Sequence, residues 1–533
     1  MKFLVEKITE SHEQNKDWER AYHSLEKDYQ ALSERYETLR KMAFGVHSEK
    51  TKTIFNPDQT LLFNEAELAA GGHRIEDETV EIAAHKRKKK KTKGLSQEEL
   101  DVVLPHEEIL QPIPEEQRIC SKCGTKMVPM GKEKIREELI YIPAQIKVRV
   151  HYRETYECRE CRKNGHFSIR KSFVPQPVLP HCKASASTIA HIMEQKYVFG
   201  VPLYRQEREW TQIGIHLDQN TMGSWIIRSA AAWFKPIVDR LHAYLLQEDV
   251  IQADETTVQV LKEAGRKNTS KSYMWVFMGG EFTAKNSIRI YQYQETRKGA
   301  NAQTFLSGFS GALLSDGYQG YNSVDNVKRF GCWSHARRKF VDSLPQKKDG
   351  AADTIAGQCV LKINKLFEIE DNLRDFSPAE RQKQRMLQSK PVVEDFFTYI
   401  ESNRDIVLPK GNLGKAISYA INQRSELTAF LEDGNVPIHN NACERSVRAF
   451  CIGRRAWLFA GSPKGADASA SIYSLAETAK ANGLNVFKYF VFILNHLPNE
   501  KCYSSPETLD NYLPWTHQVQ KVCKEKENKH PDL

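Results

Sequence analysis

The chain has 533 residues, with 77 Lys and Arg against 68 Asp and Glu, a net charge of +9 and 27% charged side chains. At roughly 100–200 residues per domain, this length predicts about three or four modules with ample chain for a large core. Eleven Cys, an odd number with seven scattered singly, argue against a disulfide scaffold and for a reducing compartment. No stretch near Met1 reads as a signal peptide. The most apolar late run, Val486–Leu497, contains Lys488 and His496 and is too short to span a bilayer. A cytoplasmic protein without a membrane partner is expected. Seven of the basic residues lie in Lys86–Lys93, and removing them takes the net charge from +9 to +2. Bulk charge therefore does not identify a polyanionic partner; local patches must.

In chain order, Trp18, Tyr22, Leu25, Tyr29, Leu32, Tyr36 and Leu39 repeat at alternating steps of four and three with polar residues between. That keeps one stripe facing a partner helix and predicts self-association, most simply a dimer; a helix folded back on its own protein is the alternative. The basic run 86–93 buries too little apolar surface to order itself and reads as a linker, with non-specific phosphate attraction as its functional side. Cys120-x-x-Cys123 and Cys158-x-x-Cys161 then frame strand-like sequence at Ile140–Ile142 and Ile146–Tyr152. Four thiols at this spacing can close around one structural Zn²⁺ with no position left for water.

From Ser185 to about Leu246 the pattern is helical, with Pro202 and Asp218 as helix starts and Gly214 in the turn between. A helix-turn-helix would place Gln219, Asn220, Thr221 and Ser224 at a DNA major groove; an ordinary helical bundle is equally compatible. From Val250 the period becomes that of strands: Val250–Val260, Tyr273–Met278, Ile288–Tyr293, Gly311–Asp316 and Val327–Cys332, with helices at Asn301–Gly308 and Ser334–Val341. This predicts a mixed α/β sheet.

Asp254 lies in the body of the first of these strands, where Asp is disfavoured, and Asp316 ends the fourth. If the two strands are neighbours, the carboxylates converge and repel each other unless they hold divalent cations. Glu444, on a predicted helix with Arg445 and Arg448, can supply a third ligand. Three carboxylates suffice for a pair of Mg²⁺ or Mn²⁺ ions that activate an attacking oxygen and stabilise a leaving one. The basic patches around them, including Arg337, Arg338, Arg445 and Arg448, suit a polyanion.

The motifs Gln-Ala-Asp254-Glu-Thr, Leu-Ser-Asp316-Gly-Tyr-Gln-Gly-Tyr, Cys332-Trp-Ser-His335-Ala-Arg-Arg-Lys-Phe340, Asn440-Asn-Ala-Cys-Glu444-Arg-Ser-Val-Arg448 and Gly453-Arg-Arg-Ala-Trp-Leu-Phe-Ala-Gly-Ser462 resemble those of bacterial insertion-sequence transposases of the IS66 family, over nearly the whole chain. The resemblance implies a ribonuclease-H-like core with an Asp-Asp-Glu metal triad, carried onto Asp254, Asp316 and Glu444. It also implies that Cys332 and His335 form a supporting Cys-x-x-His signature, and that companion proteins of the element are partners. The stretch Asp353–Phe430 reads as a helical subdomain inserted into that core, with a capping box at Ser377–Glu380.

The expected organisation is a heptad helix over 1–50, a basic linker over 51–105, a zinc ribbon over 106–175 and a helical DNA-binding region over 180–247. The catalytic core over 248–342 and 436–500 then encloses a helical insertion over 343–435, and 501–533 forms a tail. The expected activity is cleavage and strand transfer at double-stranded DNA ends, at the bacterial nucleoid: water attacks a phosphodiester at the element end, and the freed 3′-hydroxyl attacks a target strand. A nuclease that does not join strands, and a DNA-binding regulator without catalysis, are the two rivals.

Overall fold

The computed structural model describes residues 121–127, 146–159, 169–280, 286–345 and 351–524 without interruption, with residues 18, 21, 22, 24, 25, 29, 32, 36, 114, 115, 118, 119, 164 and 166 besides. Leu39, the basic run 86–93, Cys120, Cys161 and the expected strand 140–142 lie outside the described residues. The chain divides into two compact units, one of residues 1–73 and 176–525 and the other of 74–175 and 526–533.

In the smaller unit a short antiparallel ladder joins β1 (Thr155–Glu157) to β2 (Ile169–Lys171), with Tyr156 opposite Arg170. Residues 146–152, expected as a strand, form none: Val148 and Tyr152 are almost fully exposed, and the ladder lies further along the chain. Alternation alone misplaced this strand, because a strand needs a partner edge as well as a pattern.

From residue 176 the larger unit continues with four helices, α1 (Ala186–Tyr197), α2 (Leu203–Gln212), α3 (Gln219–Ser229) and α4 (Lys235–Leu245). The Ser185 hydroxyl accepts from Thr188 N–H, and Asp218 Oδ1 accepts from the N–H groups of Asn220 and Thr221 at 2.8 and 2.9 Å, satisfying otherwise orphaned helix donors. Gly214, at φ 84°, makes the turn between α2 and α3 in a conformation costly for other residues. The inward faces of these helices (Ile189, Met193, Met222, Ile226, Leu241) share one core with the sheet residues Trp275 and Phe277 and with Tyr489 and Phe490.

The sheet runs in the order β5 (Ile288–Gln294), β4 (Lys271–Gly279), β3 (Val250–Val260), β6 (Ala312–Ser315), β7 (Lys328–Gly331). β3, β4 and β5 are antiparallel neighbours, while β6 and β7 run parallel to β3. Successive side chains point to opposite faces, so Ile251 and Leu313 enter the core just described, while Val250, Ala312 and Leu314 enter a second. That second core is built with α6 (Trp333–Val341) and the inserted helices α7 (Ile355–Asn372), α9 (Lys390–Ser402), α10 (Asn412–Asn422) and α11 (Arg424–Thr428), centred on Trp333 and Phe396, while the short α8 (Pro378–Gln384) buries no residue. A short helix, α5 (Gly299–Phe305), links β5 to β6.

After the insertion come α12 (Asn441–Trp457), the two-residue strand β8 (Phe459–Ala460) beside β3, and α13 (Pro463–Ala481). Hydroxyls of α13 close the outer edge of β5: Ser474 accepts from Tyr291 N–H at 2.8 Å and Thr478 from Arg289 N–H at 3.0 Å. This occupies donors that would otherwise template another strand. The stretch beyond residue 500, expected as a tail, is folded as far as residue 524. α14 (Val486–His496), α15 (Pro506–Asp510) and α16 (His517–Cys523) bury Leu513 and Val519 in the first core, and Asp510 binds Arg240 at 2.6 Å. Among the described residues no helix is long and apolar enough to cross a membrane.

Candidate active site

β3 pairs with β4 from Gln252 to Gln259, but on its other side β6 reaches only to Gln252 and β8 covers only Gln259 and Val260. Residues 253–258 therefore have no strand on that flank, and α12 fills the opening. Asn440 Nδ2 donates to the Ala253 carbonyl at 2.9 Å, and Thr256 Oγ1 meets Cys451 Sγ at 3.4 Å. Asp254 sits at this break. Gln252 faces Leu314 in the parallel ladder, so Asp254 and Asp316 stand the same two residues beyond a paired position. Asp316 Oδ1 accepts from Tyr318 N–H at 2.9 Å, which shapes the turn after β6. Glu444 arrives in the first turn of α12, whose start is fixed where Asn440 N–H donates to Cys332 Sγ at 3.1 Å.

The electrostatics couple the acids. Burial first, then the charges of Glu255, Glu444 and Asp316, hold the Asp254 carboxyl well above the usual carboxylate range. Glu255 is buried but saturated: Arg297 Nε donates to one oxygen at 2.6 Å and the Tyr321 hydroxyl to the other at 2.6 Å. Arg297 also reaches to 4.0 Å from Asp316 and lies 3.9 Å over the Tyr318 ring. The Glu444 side chain is 5% exposed, with Arg338 Nη2 at 3.1 Å from one oxygen and His335 Nδ1 at 3.4 Å from the other. Neither Glu444 Oε1 nor His335 Nδ1 has a hydrogen bond among the described residues. Cys332 Sγ, His335 and Glu444 bring ligand-type atoms within 4.8 Å of one another. Burial pushes the Cys332 thiol up to about 12 and the His335 imidazolium down.

This donor set fits a hard divalent cation. Asp254, Asp316 and Glu444 offer carboxylate oxygens, one buried oxygen of Glu444 has no hydrogen bond among the described residues, and the burial and then the neighbouring negative charges that raise Asp254 are what a bound cation offsets.

The other sequence-derived positions fall into three groups. Gln219, Asn220 and Ser224 are exposed on α3, whereas Thr221 is half-buried and its hydroxyl donates to Asp218 Oδ2 at 2.7 Å as part of the cap. Arg337, expected at DNA, is half-buried and donates to Asn364 Oδ1 at 2.7 Å, while its neighbour Arg338 turns to Glu444. Arg445 is exposed and Arg448 half-buried on α12. Cys123 and Cys158 are both exposed. Sequence reasoning missed Glu255, Arg297, Tyr321 and Asn440. Only Glu255 carried a signal, as a second acid inside a strand.

Comparison with known proteins shows the family. The family model described as "Transposase IS66 family" matches residues 181–468, more than half of the chain and all of the carboxylate cluster. The model "zinc-finger binding domain of transposase IS66" matches 117–162, spanning all four paired cysteines, and "Transposase C of IS166 homeodomain" matches 31–109. The chain belongs to the IS66 transposase family. It is similar to three uncharacterized proteins of Sinorhizobium fredii. y4jD is 28% identical over 91% of this chain and 94% of its own length; y4hP is 27% identical over 91% and 88%, and y4qI 26% over 90% and 87%.

Proposed function

We propose that this protein is a DNA transposase that cleaves the ends of its insertion sequence and joins them to target DNA in the cytoplasm, with Asp254, Asp316 and Glu444 as the catalytic acids. What supports this reading is the electrostatic coupling of Asp254 to Glu444 and Asp316 beside the break in β3, with a Glu444 Oε1 that lies 3.4 Å from His335 Nδ1 but has no hydrogen bond among the described residues. The strand order, three antiparallel strands followed by two parallel ones, supports a ribonuclease-H-like core.

The three acids would hold a pair of Mg²⁺ or Mn²⁺ ions, which when bound activate the attacking oxygen and stabilise the leaving one. The remaining work falls to the chain's own groups. His335 and Arg338 fix the rotamer of Glu444, and Cys332 holds the start of α12 through Asn440 N–H. Arg297 neutralises Glu255 and steadies Asp316, so that the buried acids can stay ionised together. Arg445 and Arg448 bind phosphates beside the triad, and Gln219, Asn220 and Ser224 read the terminal inverted repeats from α3. Cys120, Cys123, Cys158 and Cys161 hold one structural Zn²⁺. Trp18, Tyr22, Leu25, Tyr29, Leu32 and Tyr36, helical and 63–74% exposed, pair two protomers across two DNA ends. Companion proteins of the same element complete the assembly.

The test is incubation with DNA carrying the flanking inverted repeats and Mg²⁺. A transposase yields both free 3′-hydroxyl ends and joined strands, and Asp254→Asn yields neither. Cleavage without joined products identifies a nuclease. DNA binding with no metal-dependent product from the wild-type chain leaves only a regulator.

A further inference from the structure

α12 leads away from the triad along β3 and carries a row of exposed or half-exposed residues after Glu444: Arg445, Arg448, Ile452 and Arg455, at steps of three, four and three that keep them on one face. The helix ends at Leu458, which is 66% exposed and has φ 65° and ψ −50°. That is the strained form of the γ-turn, rarely adopted by a residue with a branched side chain. Phe459, 44% exposed, follows. An exposed leucine on a strained backbone contributes nothing evident to folding stability.

The base beneath it is rigid. Trp457 packs on Phe450 with ring centroids 5.5 Å apart, Leu458 N–H donates to Arg454 O at 2.7 Å, and Leu261 N–H donates to Ala460 O at 2.9 Å. Arg454 itself clamps the loop to β3 through the Thr256 hydroxyl at 3.2 Å. Gly461 next door has an ordinary φ, and a Cβ there would meet nothing within 4 Å, so the flank of the loop is open.

We propose that Leu458, with Phe459 beside it, is a wedge that enters the base stack of the DNA end and unstacks one base-pair step, while Arg445, Arg448 and Arg455 hold phosphates of the same duplex. This rests on the transposase reading above. The ligand class follows from the chemistry: a row of cations ending in a rigid apolar tip matches a phosphate track followed by exposed base faces. Phe459 lies opposite Gln259, five residues along β3 from Asp254. At about 3.3 Å per residue the wedge is roughly 16 Å from the acids, or about five base pairs.

The experiment uses the full chain and a duplex bearing the flanking inverted repeat, with 2-aminopurine placed in turn at each pair near the cleavage point and Ca²⁺ replacing Mg²⁺ to hold the complex uncut. Wild-type protein raises the fluorescence at one or two adjacent positions. Leu458→Ala and Leu458→Gly, the second of which relieves the backbone strain and so folds at least as well, abolish that rise without changing the salt dependence of binding. In Mg²⁺ both variants cut the paired duplex about tenfold more slowly, and a mismatch at the responsive position restores the rate. No fluorescence rise with wild type, an equal rise with Leu458→Gly, or no rescue by the mismatch overturns the wedge. So does a change in sedimentation mass with unchanged fluorescence, which would make the tip a protein contact. The Asp254→Asn control separates the two failures. Asp254-dependent cutting with an unaffected Leu458→Gly refutes the wedge alone, whereas a fluorescence rise lost in Leu458→Gly without any cutting supports the wedge and refutes the catalytic reading.

Discussion

Two buried acids flank the same strand, and they are treated in opposite ways. Glu263, just past β3, has every oxygen engaged: Ser272 and Arg266 donate to it at 2.5 Å each, and the Tyr293 hydroxyl joins them. Glu444, equally buried beside the middle of β3, keeps one oxygen without a hydrogen bond among the described residues, and its charge acts on Asp254. A carboxylate that holds structure together is saturated with donors; one kept for a ligand is left incomplete. Glu255 shows that the distinction is local. It adjoins Asp254 in the chain, yet Arg297 and Tyr321 saturate it.

The largest test of this contrast exchanges the two acids. Glu444→Gln or Asp254→Asn removes metal-dependent DNA cleavage, by at least about a thousandfold, with the fold intact. Glu263→Gln leaves cleavage in place but lowers unfolding free energy by about 1–3 kcal/mol in urea titrations, because its donors lose a charged acceptor. Equal effects of the two on cleavage would erase the distinction.

Next in size, His335→Ala weakens activation by Mg²⁺ about 10–100-fold, read from the metal dependence of cleavage, since Glu444 loses an orienting neighbour. A third test reads the strain in the cluster itself. The Asp254 carboxyl is raised in the folded state, so the folded chain binds more protons than the unfolded one, and its contribution to stability falls as pH rises above the unfolded value of about 3.8. In the absence of divalent metal, Asp254→Asn therefore melts higher than wild type, by a margin that widens with pH. Millimolar Mg²⁺ closes the margin, which calorimetry at several pH values resolves. The smallest effect lies far from the acids: Ser377→Ala costs about 1 kcal/mol by removing the acceptor of the Glu380 N–H at 3.3 Å, without touching activity.

What the sequence disclosed and what it hid divide along physical lines. An Asp inside a strand, a Ser or Asp ahead of a helix and a Pro in a first turn are local signals, and Asp254, Asp218 and Ser377 all stand where those signals put them. The pairing of Arg297 with Glu255 and of Arg337 with Asn364 depends on segments 42 and 27 residues apart, and no local pattern announces it. Thus a basic cluster read as one DNA-facing patch contains Arg337 tied to the inserted helices and Arg338 tied to Glu444. The two-residue β8 was invisible for the same reason: its existence is a property of β3.

The folding of the last segment has a consequence for biosynthesis. Phe234 in the first helical group packs against Phe490 with centroids 4.9 Å apart, and Arg240 is bound by Asp510, so the core is completed by residues translated near the end. A ribosome that stalls or shifts frame beyond Glu444 but short of Cys523 releases a polypeptide that owns all three acids yet cannot close around them. Incomplete translation products therefore lack the last layer of the core, the one that covers Phe234 and anchors Arg240.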